Sequence, residues 1–172
     1  MNDKQQIQIK ALRERILLKE FLDMQSQVQQ IIYTPYNGND KFDATWVWMH
    51  PEYKAASRII AEVKVREYPL TAYPGWLIEK DKYDYLMSRA NDFEEVLYIC
   101  FHSDGIQVWN LKQCSEPSWT LDVLPKTNQS AEVKVKIVGD LMCWDAVVIK
   151  KEIGIMTAIQ YAADIYKERN NN

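Results

Sequence analysis

The chain has 172 residues and a mass of 20.2 kDa, the size of one domain or of one domain with an appendage. Apolar residues make up 47% and charged residues 26%, with only 5 glycines and 6 prolines, which excludes disordered, linker-like and collagen-like chains. The net charge of −3 excludes a protein that holds nucleic acid by bulk positive charge, although it allows a local basic groove around an acidic site.

The cysteine and hydropathy patterns predict a protein of the cytoplasm. The three cysteines are far apart and only two histidines are present, which favours free thiols over a disulfide framework or a zinc site. No apolar run reaches the roughly 18 residues of a membrane span, so we expect no membrane partner. The first ten residues are polar and predict no secretory signal.

The first predicted element is a long helix from Asp3 to Gln30. Leu12, Ile16 and Glu20 fall on one stripe at i, i+4 and i+8, and an adjoining stripe holds Leu17, Phe21, Met24 and Val28. A proline and asparagine-rich breaker then spans residues 33–41.

Two strands follow the breaker. Residues 42–48 (FDATWVW) are aromatic and β-branched, which is typical of a strand. Residues 59–66 alternate, so that one face carries Ile59, Ala61, Val63 and Val65 and the other carries Ile60, Glu62, Lys64 and Arg66.

The next segments predict a helix over 79–90, a strand over 95–102 that is buried on both faces, and a hairpin closed by residues 105–111. Residues 117–130 are interpreted as a polar connector and 131–138 as a half-exposed strand. A turn at Gly139–Asp140 then leads into a strand over 142–150, which predicts a second hairpin. Thr157 to Arg169 is predicted to be a helix.

This order predicts a single α/β domain over 1–172 with a mixed central sheet. Its core spans about 3–111, and a C-terminal extension of about 117–172 adds a hairpin and a helix.

The chemistry is carried by Asp43 on the first strand and by Glu62-Val63-Lys64 on the second. Period-two geometry places Glu62 and Lys64 side by side, and Asp43 approaches Glu62 if the strands are neighbours. Two adjacent carboxylates repel each other unless a cation lies between them. Carboxylate oxygens with a backbone carbonyl suit Mg²⁺, and an ammonium beside them can orient a metal-bound water.

From the first helix to about Leu111, the chain resembles the PD-(D/E)XK nuclease superfamily of phage and bacterial type, which has the restriction-endonuclease-like fold. The resemblance lies in residues 42–44, 60–66, the helix at 82–86, the strand at 96–101 and the closing strand at 105–111. It departs from the family pattern in having Phe42 where the motif has proline. The resemblance implies an α-β-β-β-α-β core whose third strand is either Gly75–Ile78 or an earlier strand near Ile31.

The family's activity is metal-dependent hydrolysis of phosphodiester bonds, usually of DNA. By resemblance, Asp43, Glu62 and the Val63 carbonyl hold Mg²⁺, for which Mn²⁺ can substitute. Lys64 positions the attacking water, and Glu20 is the candidate helix acid, although Glu14 and Asp23 lie in the same helix. DNA in a bacterial or phage-infected cell is the expected partner, with a possible homodimer. Candidate phosphate contacts are Arg66, Lys80 and Lys82.

Each assignment has an alternative. Glu62 and Lys64 can form a cross-strand ion pair on a solvated face, Asp43 can cap the preceding turn, and Glu20 can be an exposed helix charge. The domain can also keep the fold as a non-catalytic DNA-binding or assembly module.

Overall fold

The computed structural model describes residues 3–35, 40–52, 55–125 and 133–150 of the chain. Over these ranges the protein is a mixed α/β domain with a mixed central sheet and two helices. The helices are α1 (Asp3–Asp23) and α2 (Lys80–Ser88), and the strands are β1 (Val28–Tyr33), β2 (Ala44–Met49), β3 (Ala56–Val65), β4 (Gly75–Glu79), β5 (Glu95–Phe101), β6 (Gly105–Asn110), β7 (Thr120–Pro125), β8 (Val133–Met142) and β9 (Val147–Lys150).

The central sheet has the strand order β1-β2-β3-β5-β6-β9. Its β3–β5 pair is parallel and its other neighbouring pairs are antiparallel. One face of the sheet packs against α1 through Leu18, Phe21 and Leu22, and the other face packs against α2 through Leu86. Because both faces of the sheet are covered, β3 and β5 are apolar in most positions; the sequence predicts burial on both faces for β5 but not for β3.

The predicted strands at 42–48, 59–66 and 95–102, the hairpin with 105–111 and the helix at 79–90 are all confirmed. Both candidates for the extra strand exist. β1 lies in the central sheet beside β2, whereas β4 belongs to a second sheet with the order β4-β8-β7.

The first helix is shorter than predicted. It ends at Asp23, and the chain turns through Gln25, whose side-chain amide donates to the Phe21 carbonyl at 3.0 Å. Val28 continues the apolar stripe of the helix in sequence, but it begins β1, where it pairs with Trp48. The β1 ladder is irregular at Gln30, which has a φ of 51°. The prediction of helix over residues 24–30 was therefore wrong.

The C-terminal extension also differs from its prediction. The supposed connector contains β7, which forms the second hairpin with β8. No turn occurs at Gly139, because β8 runs on through it and pairs with β4. This glycine serves close packing instead, since a Cβ there would lie 2.6 Å from the Pro117 Cβ. A short 3₁₀ helix, Cys143–Asp145, then leads to β9, which pairs with β6 rather than with β8.

The strand predicted as half exposed carries Val133, Val135 and Ile137, all of which are exposed. The helix predicted over 157–169 lies outside the described residues. Among the described helices, none is long and apolar enough to cross a bilayer.

Candidate active site

The antiparallel register of β2 and β3 brings Asp43 to Glu62. Ala44 pairs with Ala61, so Asp43, one residue before β2, lies opposite Glu62. The Asp43 backbone N–H donates to the Ala61 carbonyl at 2.8 Å, and its carboxylate Oδ2 accepts the Val63 N–H at 2.6 Å. Asp43 therefore meets Glu62 and Lys64 where β2 begins and β3 ends, as the sequence predicts.

Glu62 is a buried carboxylate with two ammonium partners. Its side chain is 1% exposed, and its Oε1 accepts hydrogen bonds from the Nζ atoms of Lys64 and Lys82. Burial alone would raise the pKa of Glu62, but the charges of the two lysines lower it. The Glu62 side chain is consequently ionised at neutral pH. The ion pair that Glu62 forms with Lys64 does not lie on a solvated strand face.

The Lys64 ammonium lies among oxygens from two elements. Besides Glu62 it contacts the Val63 carbonyl at 2.9 Å, and Glu14 Oε1 of α1 is 3.9 Å away. Burial would lower the pKa of Lys64, but the carboxylates of Glu62, Glu14 and Asp43 raise it well above its ordinary value. Lys64 therefore remains protonated at neutral pH, and it can donate hydrogen bonds but cannot act as a general base.

The helix acid at the site is Glu14 rather than Glu20. Glu14 is buried beside Lys64, and its Oε1 has no hydrogen-bond partner among the described residues. Glu20 is exposed and lines a cavity of about 490 Å³ together with Arg13 and Glu67. At about 100° per residue the two glutamates lie roughly 120° apart around the helix, so α1 cannot present both at the same place. The assignment of Glu20 to the site was wrong.

The apolar pattern of α1 explains why the sequence favoured Glu20 over Glu14. Leu12 and Ile16, which share its stripe, are 47% and 49% exposed, whereas Leu18 and Leu22 are buried. The stripe facing the sheet is thus Glu14, Leu18 and Leu22, which has the same i, i+4, i+8 spacing.

Asp43 is bound by Arg15 of α1 and by Thr34, which follows β1. Its carboxylate Oδ1 lies 3.1 Å from the Arg15 guanidinium, and its main-chain carbonyl accepts hydrogen bonds from Arg15 and from the Thr34 N–H. Burial and the neighbouring Glu62 charge raise the pKa of Asp43 to about 7, although the Lys64 charge opposes the rise. Its carboxylate accepts the N–H of Val63 on the adjoining strand, so capping of the turn before β2 does not account for this residue.

No family model matches the sequence, and neither a curated protein nor a solved structure shows significant similarity to it. The function must therefore be argued from the site itself.

The three candidate phosphate contacts are placed differently. Lys82 joins the site through Glu62, and Arg66 lies two residues beyond Lys64, where it donates to the Leu77 carbonyl at 3.1 Å. Lys80 lies about 160° from Lys82 around α2. It pairs with Asp84 at 2.7 Å, on the other side of the helix from the lysine that contacts Glu62.

Sequence reasoning named Glu14 only as another acid of the first helix, did not single out Arg15, and did not foresee that Lys82 touches Glu62 directly. A charged residue in line with buried leucines was the available signal for Glu14. Lys82 gave no comparable signal, because its position depends on how α2 packs over the sheet.

Proposed function

We propose that this domain is a metal-dependent nuclease of the PD-(D/E)XK type that hydrolyses phosphodiester bonds of DNA. The observation that carries the proposal is the placement of the Lys64 ammonium among Glu62, the Val63 carbonyl and Glu14, with Asp43 on the adjoining strand. A buried set of anionic oxygens next to lysines suits both a divalent cation and a phosphate.

The donor set fits Mg²⁺ or Mn²⁺ in its chemistry. Asp43, Glu62 and the Val63 carbonyl supply hard oxygens, and Glu14 adds a buried oxygen without a hydrogen-bond partner among the described residues. Within the same described ranges, no three His, Cys, Asp or Glu side chains are placed to hold an ion as they stand. Both ammonium groups on Glu62 contact its Oε1, so an ion bound through that oxygen would have to displace them.

In the proposed reaction, water attacks phosphorus and the bond to the leaving ester oxygen breaks, which yields a phosphate monoester and a hydroxyl. A bound divalent ion would supply a more acidic water and offset charge on the phosphate. Lys64, which stays protonated, orients the attacking water by donating a hydrogen bond. Lys82 places a second positive charge near the phosphoryl oxygens, where negative charge accumulates in the transition state.

The order of elements also supports the proposal. α1, β1, β2, β3, α2 and β5 follow the α-β-β-β-α-β succession, with β4 inserted before α2. The acid before β2 and the E-x-K of β3 then occupy the positions that the resemblance implies.

The test is a cleavage assay on supercoiled plasmid and on circular single-stranded DNA, with Mg²⁺ or Mn²⁺ and an EDTA control. Lys64→Ala should abolish cleavage while the fold is retained. Lys80→Ala is the matched control, because it removes the same charge from a partly exposed lysine that pairs with Asp84 rather than with Glu62, and it should leave the rate unchanged. Cleavage by Lys64→Ala at the wild-type rate would contradict the proposal.

The second candidate is a non-catalytic DNA-binding or assembly module. Its support is that Glu62 is already neutralised by two lysines without an ion. Wild-type protein that binds DNA but cuts none with either metal would favour this candidate.

A further inference from the structure

Four ring side chains contact one another in a row, two of them in the loop that follows β3. Tyr68 and Tyr73 are in edge-to-face contact with ring centroids 5.6 Å apart, and Tyr73 meets Trp76 in the same way at 5.2 Å. Trp76 in turn contacts His102, with centroids 4.6 Å apart. We call these four residues the aromatic ladder.

The outer end of the ladder is exposed and its inner end is buried. Tyr68 and Tyr73 are 53% and 48% exposed, whereas Trp76 and His102 are buried. Single exposed aromatic side chains are common on protein surfaces, but two adjacent exposed tyrosines supported by buried rings form a platform. Such a platform can accept a further flat ring.

The ladder lies beside the candidate active site. Arg66 follows Lys64 on the same side of β3, and its guanidinium carbon is 5.9 Å from the Trp76 ring centroid. The backbone N–H of Arg66 donates to the Phe101 carbonyl at 2.8 Å, so the strand geometry continues to this residue. Tyr68 is only four residues from Lys64, a chain length that spans at most about 14 Å. A strand of nucleic acid that contacts Lys64 can therefore reach the tyrosines.

Main-chain contacts fix the loop that carries the tyrosines. The Tyr68 carbonyl lies 3.2 Å from His102 Nδ1, and the Leu70 N–H donates to Asp104 Oδ1 at 2.8 Å. The Pro74 carbonyl accepts the Cys143 N–H at 2.9 Å. Because the loop is already ordered, binding there carries a smaller entropy cost than ordering a free loop would.

We infer that Tyr68 and Tyr73 bind unpaired bases and that the substrate is single-stranded DNA. This inference rests on the proposed function for the identity of the polymer. In a duplex both faces of each base are covered by neighbouring pairs, whereas in a single strand they are free to stack on tyrosine. The positive charge of Arg66 lies beside the Trp76 ring of the ladder and can attract the backbone phosphates.

The experiment measures binding in EDTA, where no metal-dependent cleavage occurs. The probes are a fluorescein-labelled thymidine 15-mer and a labelled 15-base-pair duplex, and affinities are read by fluorescence anisotropy at fixed salt. Tyr68→Ala/Tyr73→Ala should weaken single-strand binding by about tenfold or more. Duplex binding should change by less than about twofold, because stacking does not contribute to it.

The matched controls are Tyr68→Phe and Tyr73→Phe, which keep the rings and should bind like wild type. A second readout needs no variant: a 2-aminopurine base in the 15-mer should lose fluorescence when it stacks on the wild-type protein. The inference is overturned if wild type does not bind the 15-mer or leaves 2-aminopurine unquenched. It is also overturned if the alanine variants bind normally, if they lose both probes equally, or if phenylalanine is as damaging as alanine.

The two proposals can fail separately. Loss of cleavage in Lys64→Ala with normal binding by the alanine variants would remove only the aromatic platform. Tyrosine-dependent binding by a wild-type protein that cuts no DNA would remove only the nuclease.

Discussion

The buried carboxyl of Asp43 makes a specific prediction for the metal-free protein. Its side chain is 14% exposed, and its pKa is raised from 3.8 to about 7 by burial and by the charge of Glu62. Between about pH 4 and pH 7 the unfolded chain has released the proton while the folded protein still holds it. The free energy of unfolding must therefore fall as pH rises through this interval.

The size of this loss of stability follows from the difference between the pKa of Asp43 in the unfolded and in the folded protein. The two pKa values differ by about three units, and each unit corresponds to about 1.4 kcal/mol. Ionisation of Asp43 therefore lowers the stability of the metal-free protein by up to about 4 kcal/mol at pH 8. Asn at this position can still accept the Val63 N–H but carries no charge, so Asp43→Asn should remove the pH-dependent loss.

Urea unfolding in EDTA, followed by circular dichroism at several pH values between about 4 and 8, measures this difference. The gap between Asp43→Asn and wild type should widen up to about pH 7 and then level off. Glu20→Gln is the control, because it removes one carboxylate from an exposed position of α1 and should follow the wild-type profile. A gap that does not change with pH, or one in which wild type gains stability as pH rises, would refute the reasoning.

Three further changes test the site and the packing around it. Glu14→Gln should slow Mg²⁺-dependent DNA cleavage by about tenfold or more, while Glu20→Gln stays within about twofold of wild type; equal rates would remove Glu14 from the site. Leu86→Ala should lower the free energy of unfolding by about 2–5 kcal/mol in urea titrations, because Leu86 of α2 is fully buried against the central sheet, and a smaller loss would mean that the helix relaxes into the space. Gly105→Ala should lower it by about 1–3 kcal/mol, since a Cβ would lie 2.6 Å from the Ile149 carbonyl oxygen; an unchanged midpoint would show that β9 can shift.

The strands β2, β3, β5 and β6 of the central sheet were predictable because their patterns are local, whereas the sequence predicts the first residues of β1 as the end of the first helix. Residues 59–66 alternate, and 95–102 form a short apolar run, so period and length alone indicate strands. The second sheet was not predictable in the same way. Gly139–Asp140 has the composition of a turn, and only the packing of Pro117 against Gly139 shows why a glycine is needed inside a strand.

The site was predictable to the extent that it lies on strands. Asp43, Glu62 and Lys64 follow from period two and from the pairing of two neighbouring strands. Glu14 did not follow, because Leu12 and Ile16 make the opposite side of α1 look as apolar as the buried one. The rotation of a helix about its own axis is decided by tertiary packing, which the repeat in the sequence does not encode.

The Lys64 ammonium gives the protein an internal counter-ion. Together with Lys82, it balances the charges of Glu62 and Glu14, so the acidic residues can pack together without forcing the chain apart. In the proposed nuclease, an ion held by Glu62 Oε1 would take the place of an ammonium group there, and Lys64 would then be free to donate a hydrogen bond to water. Ion binding and the release of Lys64 from its ion pair would then occur together.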